Sequence, residues 1–473
     1  MLRTKEAAGA DKEASLQRKQ PLSRSERMLN TPVERLIPSL AGPTILSMLI
    51  TSVYNMADTF FVSQLGTSAS GAVGVVYSAM SLIQALAFMI GMGAGNQISQ
   101  LLGRGEAEEA KHYASVAWFT GFGLGCVVAL LGATLMNPIV MLLGSTETIA
   151  PYAADYARFI FLAAPFMMCS FIMNNLLRFQ GLAVYSMVGI TIGGVLNIIL
   201  DPILIFGVGL DTMGAGIATG FSQLVSFCIL LFMCNTHKDA ISISPRNYRP
   251  TLRMYGRILY TGVPSLARQG IASVSSVMLN TIAGGFGDAA VSAMSIVSRF
   301  TMFINSVVIG FGQGFQPVCA FNFGAKRYDR VKRAFWFCVK VATATLLVLC
   351  VIALIFSGHI IELFRKDDAQ VIEIGTFALR AQLITMPLWG YYVMCNMFSQ
   401  SIGYGLRASI ISCARQGLFL IPVLAILSYA IGLLGLQLAQ PVSDVLAFVL
   451  AIILTSRILK ELGSKQAAMS KST

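Results

Sequence analysis

Asn197 and Asp201 stand four residues apart in the otherwise apolar stretch Leu196-Asn197-Ile198-Ile199-Leu200-Asp201-Pro202. On a helix, that spacing puts an amide and a carboxylate on one face, where they can share a cation or hydrogen-bond each other. Pro202 has no amide hydrogen for the carbonyl four residues back, that of Ile198. That oxygen is therefore freed beside the acid, and the helix can bend there. A carboxylate, an amide oxygen and a spare carbonyl are hard oxygen ligands suited to Na⁺, and the carboxylate alone serves for a proton. Asp58 is the second acid in an apolar setting, within Tyr54-Asn55-Met56-Ala57-Asp58-Thr59. A carboxylate inside a membrane-spanning helix costs about 2.5–3.5 kcal/mol on insertion scales, so such residues mark ion or substrate pathways. The competing structural reading ties both acids to Arg158 or to neighbouring amides, where they never titrate.

The elements that must position these acids are hydrophobic helices. The chain has 473 residues, of which 55% are hydrophobic and only 12% charged, about half the charge of ordinary soluble domains. Largely uncharged runs long enough to cross a hydrocarbon core about 30 Å thick recur along it. They lack the alternation of barrel strands. Twelve runs are placed near 36–63, 71–101, 112–135, 150–177, 184–207, 213–234, 256–283, 289–320, 333–357, 371–402, 408–430 and 433–457. The expected fold is an all-α integral membrane protein of twelve transmembrane helices, in two six-helix lobes related by an internal pseudo-twofold repeat.

The repeat is visible as a near-constant offset between matching landmarks. Pro43 pairs with Pro264, Gly66 with Gly287, Ala72 with Ala293, Gly103 with Gly324, Pro165 with Pro387 and Gly214 with Gly435. Gly91-x-Gly93-x-Gly95-x-Gln97 is matched to Gly310-x-Gly312-x-Gly314-x-Gln316, and glycines on alternate positions suit close helix packing. The expected units are a disordered cytoplasmic tail over 1–33, an N-terminal lobe over 34–234, a cytoplasmic linker over 235–257, a C-terminal lobe over 258–457 and a cytoplasmic tail over 458–473. Six helices per half give parallel repeats and a cavity between two lobes, which suits alternating access. The offset places Asn280 opposite Asp58, and Ile421-Pro422 opposite Asp201, so only the first half carries the acids.

The net charge of +12 follows topology. Of 34 Lys and Arg, 26 fall at alternate ends of the spans, whereas Arg365 and Lys366 sit at the other ends. The positive-inside rule makes both termini cytoplasmic in a multi-pass protein of the plasma or inner membrane. No basic stretch with interleaved aromatics suggests nucleic-acid binding. The nine cysteines lie in or beside spans without a C-x-x-C pair, and His112, His237 and His359 are dispersed at loop ends as solvated side chains, so neither a disulfide framework nor a zinc site follows. Arg268, Arg299, Lys340, Arg380 and Arg415 lie within spans of the second half; Arg299 is the one expected to face the cavity or a partner helix. The stretch from Trp389 to Phe398 is rich in Met and aromatics and could line an adaptable pocket.

Taken together, Ala57-Asp58-Thr59-Phe60-Phe61-Val62, Leu196-Asn197-x-x-Leu200-Asp201-Pro202, Gly214-Ala215-Gly216-Ile217-Ala218-Thr219 and Gly310-Phe311-Gly312-Gln313-Gly314-Phe315-Gln316-Pro317 resemble the multidrug and toxic compound extrusion transporters over residues 34 to 457. The similarity is to the branch with paired Asp in the N-terminal lobe. It implies a monomeric antiporter without a cofactor that exports organic, mostly cationic and amphipathic compounds in exchange for H⁺ or Na⁺. It also implies a cation site at Asp58, Asn197, Asp201 and Thr219 with Tyr156 nearby, a hinge at Pro43 beside that at Pro202, and a cavity position for Asn174. Tyr54, Asn280 and Arg299 complete the candidate cavity residues. One departure is that no acid follows Pro264 in the seventh span, where another branch carries Glu.

The alternative within transport is a flippase for lipids or lipid-linked oligosaccharides, which a cavity dominated by cations would favour. An enzyme is not expected: H-E-x-x-H, G-x-S-x-G and P-loop motifs are missing, and no extramembrane segment is large enough for an active site. No carbonyl-filter motif suggests a channel.

Overall fold

The computed structural model describes residues 23–236, 240–364 and 368–470. Most of the expected N-terminal tail, and His237, Lys238, Arg365 and Lys366, lie outside them. Where the tail was expected to be disordered up to residue 33, Arg24–Asn30 instead forms a short helix, α1. Ser23 and Glu26 satisfy each other's backbone amides in a capping box at its start, and Met28 is buried, so local capping and one apolar anchor order this segment.

The first lobe follows as α2 (Val33–Ser63), α3 (Thr67–Arg104), α4 (Ala107–Thr134), the short α5 (Met136–Leu142), α6 (Ala150–Phe179), α7 (Ala183–Pro202, extended by a π-helical turn Ile203–Gly207) and α8 (Asp211–Thr236). The second lobe contains α9 (Leu252–Gly284), α10 (Asp288–Gly324), α11 (Tyr328–Ile355), the short α12 (Ser357–Phe364), α13 (Ala369–Ser401), α14 (Gly405–Ile431, with a π-helical segment Ala414–Phe419) and α15 (Leu433–Ser470). Eleven of these helices are long and apolar enough to cross a membrane. The twelfth span, α9, is less apolar because it carries Arg253, Arg257, Arg268 and several serines, but its 33 residues reach about 50 Å. The last helix runs past residue 457 to Ser470 rather than giving way to a tail.

The two lobes repeat each other contact for contact. In the first, α6 packs against α3, α4 and α8; in the second, α13 packs against α10, α11 and α15. These central helices are sheathed by their neighbours, with every residue from Met167 to Phe179 and from Tyr392 to Ser401 buried. The outer faces carry exposed Leu130, Leu142, Phe232 and Ile384, as expected where lipid is the solvent. The short α5 and α12 were not anticipated; they are one repeat apart and occupy equivalent positions in the two lobes.

Between lobes, α2 packs on α10 and α3 packs on both α9 and α10. Backbones approach closely there. A Cβ on Gly103 would sit 2.1 Å from the Phe321 carbonyl oxygen, and one on Gly324 would sit 2.1 Å from that of Gln100. Each contact is the other shifted by one repeat. The glycine run of α3 follows the same register, which corrects the matching of Gly91 to Gly310: Gly91 abuts Asn175 of α6, and its counterpart is Gly312, which abuts Met397 of α13.

Side chains lace this seam. Asn96 donates to the Gln400 carbonyl, Gln100 to that of Ser401 (2.8 Å), Ser99 to that of Pro317 (3.0 Å) and Thr261 to that of Gly93 (3.3 Å). The buried Arg178 donates to Gln313 and, at 2.5 Å, to Asn175. All of these lie in the half of the molecule that contains both described chain ends. Ser52 and Ser306, 3.1 Å apart near the middle of α2 and α10, make the last cross-lobe hydrogen bond among the described residues toward the opposite ends.

The connection between lobes rests on the first lobe. The Ile241 amide donates to Gln180 at 2.8 Å, and His112 Nδ1 lies 2.9 Å from the Asn247 carbonyl. His112 is therefore half-buried and engaged with the linker, not simply solvated, because the linker folds back over α4.

Candidate functional site

Four helices of the first lobe bring their polar residues to one point. Asp58 of α2 is 8% exposed and Asp201 of α7 is fully buried. Tyr156 of α6 donates its hydroxyl hydrogen to Asp58 Oδ2 at 2.9 Å. Asn197, one turn before Asp201, points its amide nitrogen at Asp201 Oδ1 (3.3 Å) and at the Thr219 hydroxyl of α8 (3.2 Å). Arg158 is exposed, and neither acid forms an ion pair among the described residues.

Local sequence explains this convergence. The four-residue spacing of Asn197 and Asp201 keeps both on the inner face of α7, and the chain after Pro202 widens into a π-helical turn, a distortion common at functional sites. On the neighbouring faces, small residues let the helices come together: a Cβ on Gly193 would collide with Ser226 of α8, and one on Gly216 would lie 2.8 Å from the Tyr156 carbonyl.

The arrangement leaves oxygen atoms to spare. Asp58 Oδ1, Asp201 Oδ2, Asn197 Oδ1, Tyr54 Oη and the Ser222 hydroxyl are all buried without a hydrogen-bond partner. A buried unpartnered carboxylate oxygen is costly unless it is protonated or meets a cation. Carboxylate, amide and hydroxyl oxygens are the donors that Na⁺ takes, and the same carboxylates accept a proton. A set made of carboxylate, amide and hydroxyl oxygens suits a hard monovalent ion or a proton better than a transition metal, which favours imidazole and thiolate.

The other sequence-derived candidates fall in different places. Tyr54 is buried and lines a small cavity with Thr51, Asn197, Thr219 and Ser222. Asn174 is outside that cavity; it ties α6 to α7 by donating to the Ser186 carbonyl (2.9 Å) and hydroxyl (2.7 Å). Pro43 sits inside α2, in the half packed against α10, and the helix continues through it. Asn280 and Arg299 are both exposed and are not among the residues that line the large cavity of the second lobe. Both lie on helices with apolar residues on several faces, where the side that turns inward is set by tertiary packing.

That second-lobe cavity, of about 400 Å³, is lined instead by Arg268, Arg415, Trp389, Tyr392, Asn396 and further polar residues. The sequence reading confined the membrane acids to the first lobe, and here too the structure differs. Asp444 of α15 is 4% exposed and forms a buried ion pair with Arg415, Nε to Oδ1 2.6 Å. The available signal was the row Gln437, Gln440, Asp444, spaced to share one face of an apolar helix.

A family model described as MatE matches residues 43–203 and 264–426. The chain is 28% identical over 436 residues to the multidrug export protein MepA of Staphylococcus aureus strain MRSA252, covering 90% of this chain and 95% of that one. It is likewise 28% identical over 424 residues to MepA of Staphylococcus saprophyticus, covering 88% and 93%. Among solved structures, the fold matches an outward-facing multidrug resistance MATE family transporter of the MOP superfamily, with a TM-score of 0.89 and 23% sequence identity. It also matches a MOP superfamily transporter from Pyrococcus furiosus described as having a binding pocket of reversed polarity, with a TM-score of 0.87 and 24% sequence identity. Each match covers 94% of this chain and 100% of the other.

Proposed function

Because the chain belongs to the MatE family of multidrug efflux transporters, we propose that it is a secondary antiporter that exports organic, mostly cationic and amphipathic compounds in exchange for H⁺ or Na⁺. The observation that carries this reading is the buried pair Asp58 and Asp201, with oxygens left free and no ion-paired cation beside them among the described residues. Two acids on one lobe repel when both are ionised, so a proton or Na⁺ is held there in the absence of cargo. Binding of a cationic compound and of the coupling ion then oppose each other, and that opposition links the two fluxes. Tyr156 and Thr219 hold the acids and Asn197 in place. Pro43 and Pro202 supply flexible points in the two helices that carry the acids.

The relatives named as multidrug export proteins support a small-molecule cargo. The basic residues at the face carrying the chain ends support placing that face in the cytoplasm. In that orientation the laced seam closes the cytoplasmic side. A flippase of anionic lipids would be better served by a cavity holding only positive charges, whereas this site holds two carboxylates.

Inverted vesicles test the reading directly. Ethidium uptake should follow an imposed gradient of H⁺ or of Na⁺ applied alone, and should collapse when that gradient is dissipated. Uptake indifferent to both ions, or driven only by nucleotide hydrolysis, would overturn it.

A further inference from the structure

The charges of the second-lobe cavity do not cancel. Asp444 is fully engaged: Oδ1 accepts from Arg415 at 2.6 Å and from Gln440 at 2.9 Å, and Oδ2 accepts from Thr385 at 3.4 Å. Arg415 and Asp444 therefore neutralise each other, and the Arg415 guanidinium also lies 5.1 Å above the Trp389 ring. Arg268 has no such partner. It donates to the neutral Asn396 amide oxygen at 3.3 Å, and no carboxylate pairs with it among the described residues. It sits midway along the 33-residue helix α9, the depth at which a charge is most costly in a membrane protein.

Arg268 opens onto the cavity of about 400 Å³, within the range that holds a drug-sized molecule. Trp389 and Tyr392 offer aromatic surface there. Tyr392 commits its hydroxyl hydrogen to the Ile411 carbonyl, which leaves its ring as the contact surface. Asn305 is a further polar residue of the lining. The lining thus asks for two things: an oxyanion for the guanidinium fork and a flat apolar body.

We infer that the second-lobe cavity is a binding site for aromatic carboxylates, with Arg268 holding the carboxylate and Trp389 and Tyr392 the ring. It is separate from the acidic site of the first lobe and gives the protein a reach toward anionic and zwitterionic compounds.

The probe is 6-hydroxy-2-naphthoate, measured by equilibrium dialysis against the purified full chain, with protein-free micelles as the blank. One saturable site is expected, with much weaker binding of the matching 6-hydroxy-2-naphthylmethylammonium. Arg268→Gln should weaken naphthoate binding at least tenfold, Arg268→Lys should fall between, and Tyr429→Ala, on the outer surface at 95% exposure, should bind as the unchanged chain does. Size-exclusion profiles and melting curves establish that each variant is folded; should Arg268→Gln not fold, Trp389→Leu carries the test through the ring contact. No saturable binding by monodisperse protein, equal binding of the ammonium, or Arg268→Gln binding within twofold of the unchanged chain would overturn the assignment. A lipid phosphate is the other oxyanion available to Arg268. If phosphatidylglycerol nanodiscs, but not phosphatidylcholine nanodiscs, suppress the Arg268-dependent binding, the occupant is a lipid headgroup and the aromatic carboxylate is overturned. Dialysis needs no ion gradient, so a negative result here leaves the coupling role of Asp58 and Asp201 untouched.

Discussion

Asn174 and Asn396 stand one repeat apart and do the same work. Asn174 donates to the carbonyl of Ser186 and to that residue's own hydroxyl; Asn396 donates to the carbonyl of Ala408 at 2.8 Å and to the Ser412 hydroxyl at 2.7 Å. Each ties the central helix of its lobe to the penultimate one. Around this shared joint the chemistry has parted: the first lobe holds two unpaired acids, whereas the second holds an unpaired arginine and a neutralised Arg415–Asp444 pair. Backbone ties and glycine contacts fix where the helices run, and so are kept in both halves. The charges are free to differ because each lobe encloses its own polar interior.

The largest effect should come from cutting the first lobe's charge. Asp201→Asn keeps shape and hydrogen bonding but removes the titratable group, so ion-driven ethidium efflux should fall to the level of vesicles without the protein, with membrane insertion checked by blot. Asp58→Asn should match it. Asn197→Ala and Thr219→Ala remove one hydrogen-bonded partner each, worth about 1 kcal/mol, and should slow efflux several-fold without abolishing it. Near-normal efflux by a well-expressed Asp201→Asn chain would end the division of labour between lobes.

Next in size is the second lobe's ion pair. Arg415→Ala strands a buried carboxylate, which costs about 3–5 kcal/mol when the partner is removed, so the melting temperature of the purified protein should drop clearly. Replacing both residues, Arg415→Met with Asp444→Leu, should recover most of that loss. A double variant as unstable as the single one would mean that Arg415 acts through Trp389 instead.

The smallest effect should be no effect. Asn280→Asp placed in an Asp58→Asn background should not restore drug resistance, because Asn280 is exposed and no second-lobe counterpart of Asn197, Asp201 and Thr219 surrounds it. Recovered resistance in a growth assay would show that the lobes are interchangeable.

Asp58, Asn197 and Asp201 could be picked out of the sequence because a charge or amide in an apolar run is a local signal. Tyr156 and Thr219, which complete the cluster, carry no such signal; a tyrosine or threonine in a spanning helix is ordinary, and only likeness to a family pointed to them. The twelve spans and the repeat were legible because hydrophobic length and a constant offset between landmarks survive without knowledge of packing. Direction was not. Asn280 and Arg299 are exposed on helices whose apolar residues cover more than one face. The π-helical segment at Ala414–Phe419 places Arg415 of α14 against Asp444 of α15, a meeting that only the folded lobe creates.

The seam between the lobes has a further property. Its acceptors at Gln400, Ser401, Pro317 and Gly93 are main-chain carbonyls, and a main-chain oxygen stays in place whatever side chain is attached. Losing Asn96, Ser99, Gln100 or Thr261 deletes a bond outright, whereas a different side chain at Ser401 leaves its acceptor standing; Gly93 is the exception, because an added Cβ would lie 2.1 Å from the Ile258 carbonyl oxygen. The donors stand on both lobes, Asn96, Ser99 and Gln100 on α3 and Thr261 on α9, so each lobe reaches for the backbone of the other. Because helices carry both donors and acceptors, a rigid-body separation of the lobes would break these bonds together rather than one by one.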